Sequence, residues 1–150
     1  MANANVFQTE NLFNECANQK RRSRANVDQF RNVFLAVTRW MRLTFDKGKG
    51  VCIQGFMKLT WVKESIEMGT MGTKESFRPV FILSEPYRNA YGIVYRNNRG
   101  PPHENLLPCE DINWSKIAIK FSTGLTKDVV FACTRDVVQK LGEIIRDGTV

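Results

Sequence analysis

The sequence predicts an α+β fold: a helix pair followed by a β-hairpin or three-stranded sheet, with a second, incomplete helix pair at the C-terminus. Three observations predict it. Apolar residues recur at steps of three and four over 27–45 and again over 129–145, which is the period of one helical face. Between these segments, 51–83 switches to short apolar runs around a glycine-rich tip, the pattern of paired strands. A shift of one hundred residues then lays the second helical segment on the first.

Each element has its own local reason. Met1 to Asn5 read as a loose end, and 6–18 as a first helix on the imperfect apolar stripe Phe7, Leu12, Phe13, Cys16 and Ala17. Asn26 with Gln29 three residues on makes a capping box, opening a helix over about 26–47. Val27, Phe30, Phe34, Val37, Met41 and Phe45 form its apolar face, and Gly48 can adopt the left-handed conformation that ends it. From Gly50, the residues Val51, Ile53, Phe56, Leu59, Trp61 and Val62 read as a strand, with Gly55 marking a bulge or bend. Gly69 to Thr73 form the tip, and Pro79-Val80-Phe81-Ile82-Leu83 the returning strand, so the strands fall within 50–84. Tyr91 to Tyr95 read as a further short strand.

The Asn97-Asn98-Arg99-Gly100-Pro101-Pro102 break opens a linker over 97–112. Asn113 or Asp111 then caps a short helix with Trp114, Ile117, Ala118 and Phe121, ended by Gly124. Thr126 caps a longer one, whose face is Val129, Val130, Cys133, Val137, Leu141, Ile144 and Ile145, up to Gly148. The expected organisation is a first unit over 6–96, the linker over 97–112, and the helical half of a second unit over 113–150.

The repeat aligns Phe30 with Val130, Val37 with Val137, Met41 with Leu141, Phe45 with Ile145 and Gly48 with Gly148. Where the first copy begins its strand at Gly50-Val51, the second has reached Thr149-Val150, so its sheet is expected to be missing.

With 150 residues, 43% hydrophobic and 25% charged, one soluble globular domain or two very small ones is expected. Folding could bury roughly 69% of the unfolded chain's surface. Apolar stretches are interrupted by charge within about eight residues, too soon for a membrane-spanning helix. The first thirty residues hold no apolar block of the secretory kind. Cys16, Cys52, Cys109 and Cys133 are dispersed and read as reduced, with Cys52 and Cys133 in the core.

Nothing in the sequence points to an enzyme. The single histidine, His103, lies in a loop, no glycine-rich phosphate loop occurs, and the cysteines lack metal-ligand spacing. Glu104, Glu110 and Asp111 read as capping residues for the next helix. No cofactor, metal or small-molecule substrate is expected. Trp40, Trp61 and Trp114 read as core, with Trp61 and Phe77 candidates for exposure on the hairpin.

A helix pair followed by Gly50-Val51-Cys52-Ile53-Gln54-Gly55-Phe56-Met57-Lys58-Leu59 resembles the bacterial HU/IHF fold, whose strand carries Gly-Phe-Gly-x-Phe. Lys116-Ile117-Ala118, Gly124 to Val130, Asp136-Val137-Val138 and Leu141 to Gly148 are similar to the HU helix pair. Two divergent copies with Arg78-Pro79-Val80-Phe81 between them resemble the eukaryotic HU-like domains of the coiled-coil domain-containing protein 81 family, over most of 6–150.

That resemblance implies a non-catalytic structural role in protein-protein contacts at a cilium, axoneme, basal body or centrosome. It implies partners within a large assembly, tubulin or microtubule-bound proteins among the candidates, and a cytoplasmic, cytoskeletal location. The family strand and hairpin map onto Gly55, Phe56, Trp61, Phe77, Arg78 and Pro79. The hairpin is a candidate for adding to a neighbour's sheet or gripping another chain.

The net charge of +7 invites an anionic partner, and Lys20, Arg21, Arg22 and Arg24 are the candidate residues for binding one. They supply four of those charges within five positions. The alternative reading, an HU-like architectural DNA-binding protein, needs basic arms with an intercalating proline at the tip. In the matching region Lys63, Lys74 and Arg78 are balanced by Glu64, Glu67 and Glu75, no proline precedes Pro79, and Met57 replaces the second family glycine. DNA is therefore disfavoured. In a third reading the chain is part of a longer protein whose function lies in a coiled coil.

Overall fold

Asn26 caps its helix through the expected reciprocal pair. The Gln29 amide donates to Asn26 Oδ1 at 2.9 Å and the Asn26 amide to Gln29 Oε1 at 3.3 Å. The computed structural model describes residues 9–18, 26–94 and 105–148. They form α1 (Thr9–Asn18), α2 (Val27–Asp46), β1 (Gly50–Ile53), β2 (Met57–Glu67), a 3-10 turn (Gly69–Met71) and β3 (Thr73–Leu83). After these come α3 (Glu85–Tyr91), β4 (Cys109–Asp111), α4 (Trp114–Lys120) and α5 (Lys127–Arg146). The architecture is α+β. No described helix is long and apolar enough to cross a membrane.

The chain gathers into two compact units. A helical unit takes the described residues of Met1–Trp40, Tyr91–Ile93 and Asn113–Val150, and a sheet unit those of Met41–Ala90 and Val94–Ile112. In the helical unit, α1 and α4 both pack on α5. Phe13, Cys16, Phe30, Trp40, Ile117, Val130 and Cys133 are essentially sealed from solvent. Phe13 meets Phe34 edge-on at 5.4 Å, and Trp114 meets Phe131 at 5.3 Å. Asn113 and Thr126 cap α4 and α5 as expected, accepting from the Lys116 amide at 3.0 Å and the Val129 amide at 3.3 Å.

Helices α2 and α5 are both 20 residues long and start one hundred residues apart. Four buried positions coincide under the same shift, Phe30 with Val130, Val33 with Cys133, Ala36 with Asp136 and Thr44 with Ile144, whereas of the other aligned pairs Val37–Val137, Met41–Leu141 and Phe45–Ile145 none is buried in both helices. Gly48 and Gly148, at φ +81 and +73, follow both.

The sheet order is β3-β2-β1-β4, with β2 antiparallel to both β1 and β3, and β4 parallel to β1. Gly50 sits where β1 is hemmed in on both sides. A Cβ there would lie 2.5 Å from Thr60 Oγ1 and 2.7 Å from Cys109 Sγ, closer than any side chain tolerates. The buried Thr60 hydroxyl is satisfied by donating to the Leu107 carbonyl at 2.9 Å.

Three expectations are corrected. Gly55, at φ +76, is not a bulge within one strand but part of the turn joining β1 to β2, closed by the Phe56 amide on the Ile53 carbonyl at 3.1 Å. The expected strand from Tyr91 is helix up to Tyr91 and a turn at Gly92. Ser84 starts that helix by accepting from the Tyr87 amide at 3.3 Å, and Pro86 is tolerated in its first turn. Residues 105–112, expected as linker, join the sheet through β4 and the Val62–Leu106 bridge. Their backbone groups bond β2: the Lys63 amide donates to the Asn105 carbonyl at 2.9 Å, and the Leu107 amide to the Trp61 carbonyl at 2.9 Å. Met1 to Asn5, the Lys20 to Arg24 run, His103, Glu104 and Thr149-Val150 lie outside the described residues.

Candidate functional site

The ribbon of β2 and β3 pairs without interruption from Met57–Leu83 to Glu67–Thr73. The Gly69–Met71 turn closes it, with Gly69 and Gly72 at φ +63 and +87 and the Met68 amide on the Gly72 carbonyl at 2.8 Å. That register decides where each charge goes. Lys63 faces Phe77 across the ribbon and reaches diagonally to Glu75, Nζ to Oε1 at 2.9 Å. Glu64 faces Ser76 and accepts from Arg78 Nε at 2.9 Å. Because successive residues point to opposite faces, each face of the ribbon carries one ion pair. Both pairs are largely exposed, so each adds little stability. Each pair cancels its own two charges locally.

Beside these charges the ribbon exposes apolar side chains. Phe77 and Phe81 are half in solvent, as are Ile66 and Met68, and Met71 at the tip is 85% exposed. Phe77, Pro79 and Phe81 share one face of β3 at a period of two. Their cross-strand neighbour Trp61, opposite Pro79, is half-buried under Phe45, the rings stacked at 4.2 Å and 16°. Of the residues matched to the family strand and hairpin, Phe77, Arg78 and Pro79 are thus exposed. Phe56 is not: it packs on Tyr87 with ring centroids 5.0 Å apart, and Gly55 serves the turn.

Strand β3 is an edge, and its backbone can be assigned. Trp61 and Lys63 direct their backbone groups to Leu107 and Asn105, away from β3. Their partners Pro79 and Phe77 therefore turn their own backbone groups to the free edge. Pro79 has no N–H, so the row of edge donors is interrupted at its middle, a recognised defence against strand addition.

Among the described residues no cluster of three His, Cys, Asp or Glu side chains could hold a metal. Burial pushes the Cys16 thiol up to about 12 and the Cys133 thiol up to about 11, the opposite of what a nucleophilic cysteine requires. Desolvation, with a hydrogen bond to Asp111, likewise raises Cys52.

Sequence reasoning missed β4, Phe81 and Met71. The turn-rich tip was the available signal for Met71; β4 has three residues and carries no periodicity to read. Comparison with protein families matches residues 14–95 to the model of the CCDC81 eukaryotic HU domain 1. No curated protein matches the chain.

Proposed function

Since the chain belongs to the family of the CCDC81 eukaryotic HU domain 1, we propose that it is a non-catalytic structural protein working through protein-protein contacts in a ciliary, basal-body or centrosomal assembly. One observation carries the reading. The hairpin that a DNA-bending relative would make basic has Lys63 and Arg78 paired with Glu75 and Glu64 at 2.9 Å, and it presents Phe77 and Phe81. Apolar side chains rimmed by neutralised charge suit a protein surface, where aromatic anchors supply most of the binding energy. The basic run Lys20, Arg21, Arg22 and Arg24 would add long-range attraction to an acidic surface such as a microtubule.

Cosedimentation of the full chain with isolated axonemes and with microtubules tests this. Retention is expected, and the Phe77→Glu/Phe81→Glu variant should lose most of it. A chain that stays in the supernatant with both preparations would sink the proposal. A mobility shift of duplex DNA that weakens steeply with salt would replace it with the architectural role.

A further inference from the structure

Within the helical unit a groove of ≈ 410 Å³ lies between α2 and the turn that follows α4. Leu35, Ala36 and Arg39 line it from α2, and Lys120, Phe121 and Leu125 from the other side. The wall after α4 is held by local hydrogen bonds. The Phe121 amide donates to the Ile117 carbonyl at 3.0 Å and the Ser122 hydroxyl to the Ala118 carbonyl at 2.7 Å. Gly124, at φ +78, then turns the chain into the Thr126 cap of α5. A preformed wall lowers the ordering cost of binding.

Two features of the lining specify an occupant. Leu35 is 45% exposed, although a leucine gains by leaving water. Arg39 and Lys120 are the charged lining residues, no acidic side chain lines the groove, and neither joins an ion pair among the described residues. Arg31, on the same helix, shows the contrast, being held by both Glu10 and Asp28. We propose that this groove docks an acidic amphipathic segment of a partner protein. Its apolar side chains cover Leu35, Phe121 and Leu125 while its carboxylates meet Arg39 and Lys120. A purely acidic tail would leave the apolar lining wet, and a second copy of a chain of net charge +7 is repelled at long range.

Selection of phage-displayed random 16-residue peptides on the full chain, followed by titration of labelled winners, tests the site. The winners are expected to combine two or more Asp or Glu with large apolar residues. Arg39→Glu/Lys120→Glu and, separately, Leu35→Gln should each raise Kd by at least about tenfold, with folding checked by circular dichroism. Phe77→Glu/Phe81→Glu should leave Kd unchanged, so the outcome is independent of the hairpin reading. The proposal is overturned by an absence of enriched peptides, or by winners indifferent to the groove variants. Equal binding of an all-glutamate peptide would also overturn it, as would a concentration-dependent dimer that the charge reversal dissolves.

Discussion

Gly142 shows at the scale of one residue how packing outranks propensity. It lies within α5, where alanine would be favoured by about 1 kcal/mol. Yet a Cβ there would come within 2.5 Å of the Tyr91 ring, and overpacking of this kind costs about 1–3 kcal/mol. Gly142→Ala is expected to lower the urea midpoint, and to become neutral or stabilising in a Tyr91→Ala background; a stabilised single variant would refute the clash. The buried thiols carry a second residue-scale prediction. Desolvation, assisted by the charge of Asp136, holds Cys16 and Cys133 protonated up to about 12 and 11, against 9.0 for an ordinary thiol. Unfolded, both ionise near 9, so their contribution is fully present below that pH and is lost as pH rises from 9 through 11 to 12. The slope is roughly 1.4 kcal/mol per pH unit for each thiol in that window. Stability measured at pH 8.5 and 10.5 should fall less in Cys16→Ala and Cys133→Ala than in the parent chain.

At the scale of elements, what could be read from the sequence was what is locally determined. Asn26 with Gln29, Asn113 and Thr126 mark helix starts because a cap is satisfied within three residues, and each makes the expected bond. The matching span of α2 and α5 is legible for the same reason, since periodicity belongs to one helix, but the buried face is not: of the pairs aligned from the sequence only Phe30 and Val130 are buried in both, and Phe34 is 43% exposed. By contrast, β4 exists only because Gly50 leaves room for Cys109, a fit between residues far apart in the chain. The edge character of β3 is likewise a property of the sheet order, yet Pro79 hints at it, because proline is admitted only where no ladder N–H is needed. Pro79→Thr restores that N–H to the free edge. The variant is expected to self-associate more than the parent, seen as a higher mass by light scattering; an unchanged mass would show that the edge is guarded by something other than the missing donor.

For the whole molecule the question is which of its charges act at a distance. The hairpin's Lys63, Glu64, Glu75 and Arg78 cancel in pairs at 2.9 Å, and fields of cancelled pairs fade within the roughly 8 Å Debye length of physiological salt. Four of the seven net positive charges belong to Lys20, Arg21, Arg22 and Arg24, outside the described residues, and these must dominate any long-range attraction to a polyanion. Replacing all four with glutamine is therefore expected to lower the salt needed to elute the chain from heparin, and to slow its association with axonemes most at low ionic strength. On the proposed assembly role, the contact that persists after encounter should be set by Phe77 and Phe81, so protein loaded onto axonemes should dissociate at the parent rate in the glutamine variant and faster in Phe77→Glu/Phe81→Glu. If dissociation instead follows the glutamine substitutions, charge holds the complex together and the exposed aromatic face is incidental to it.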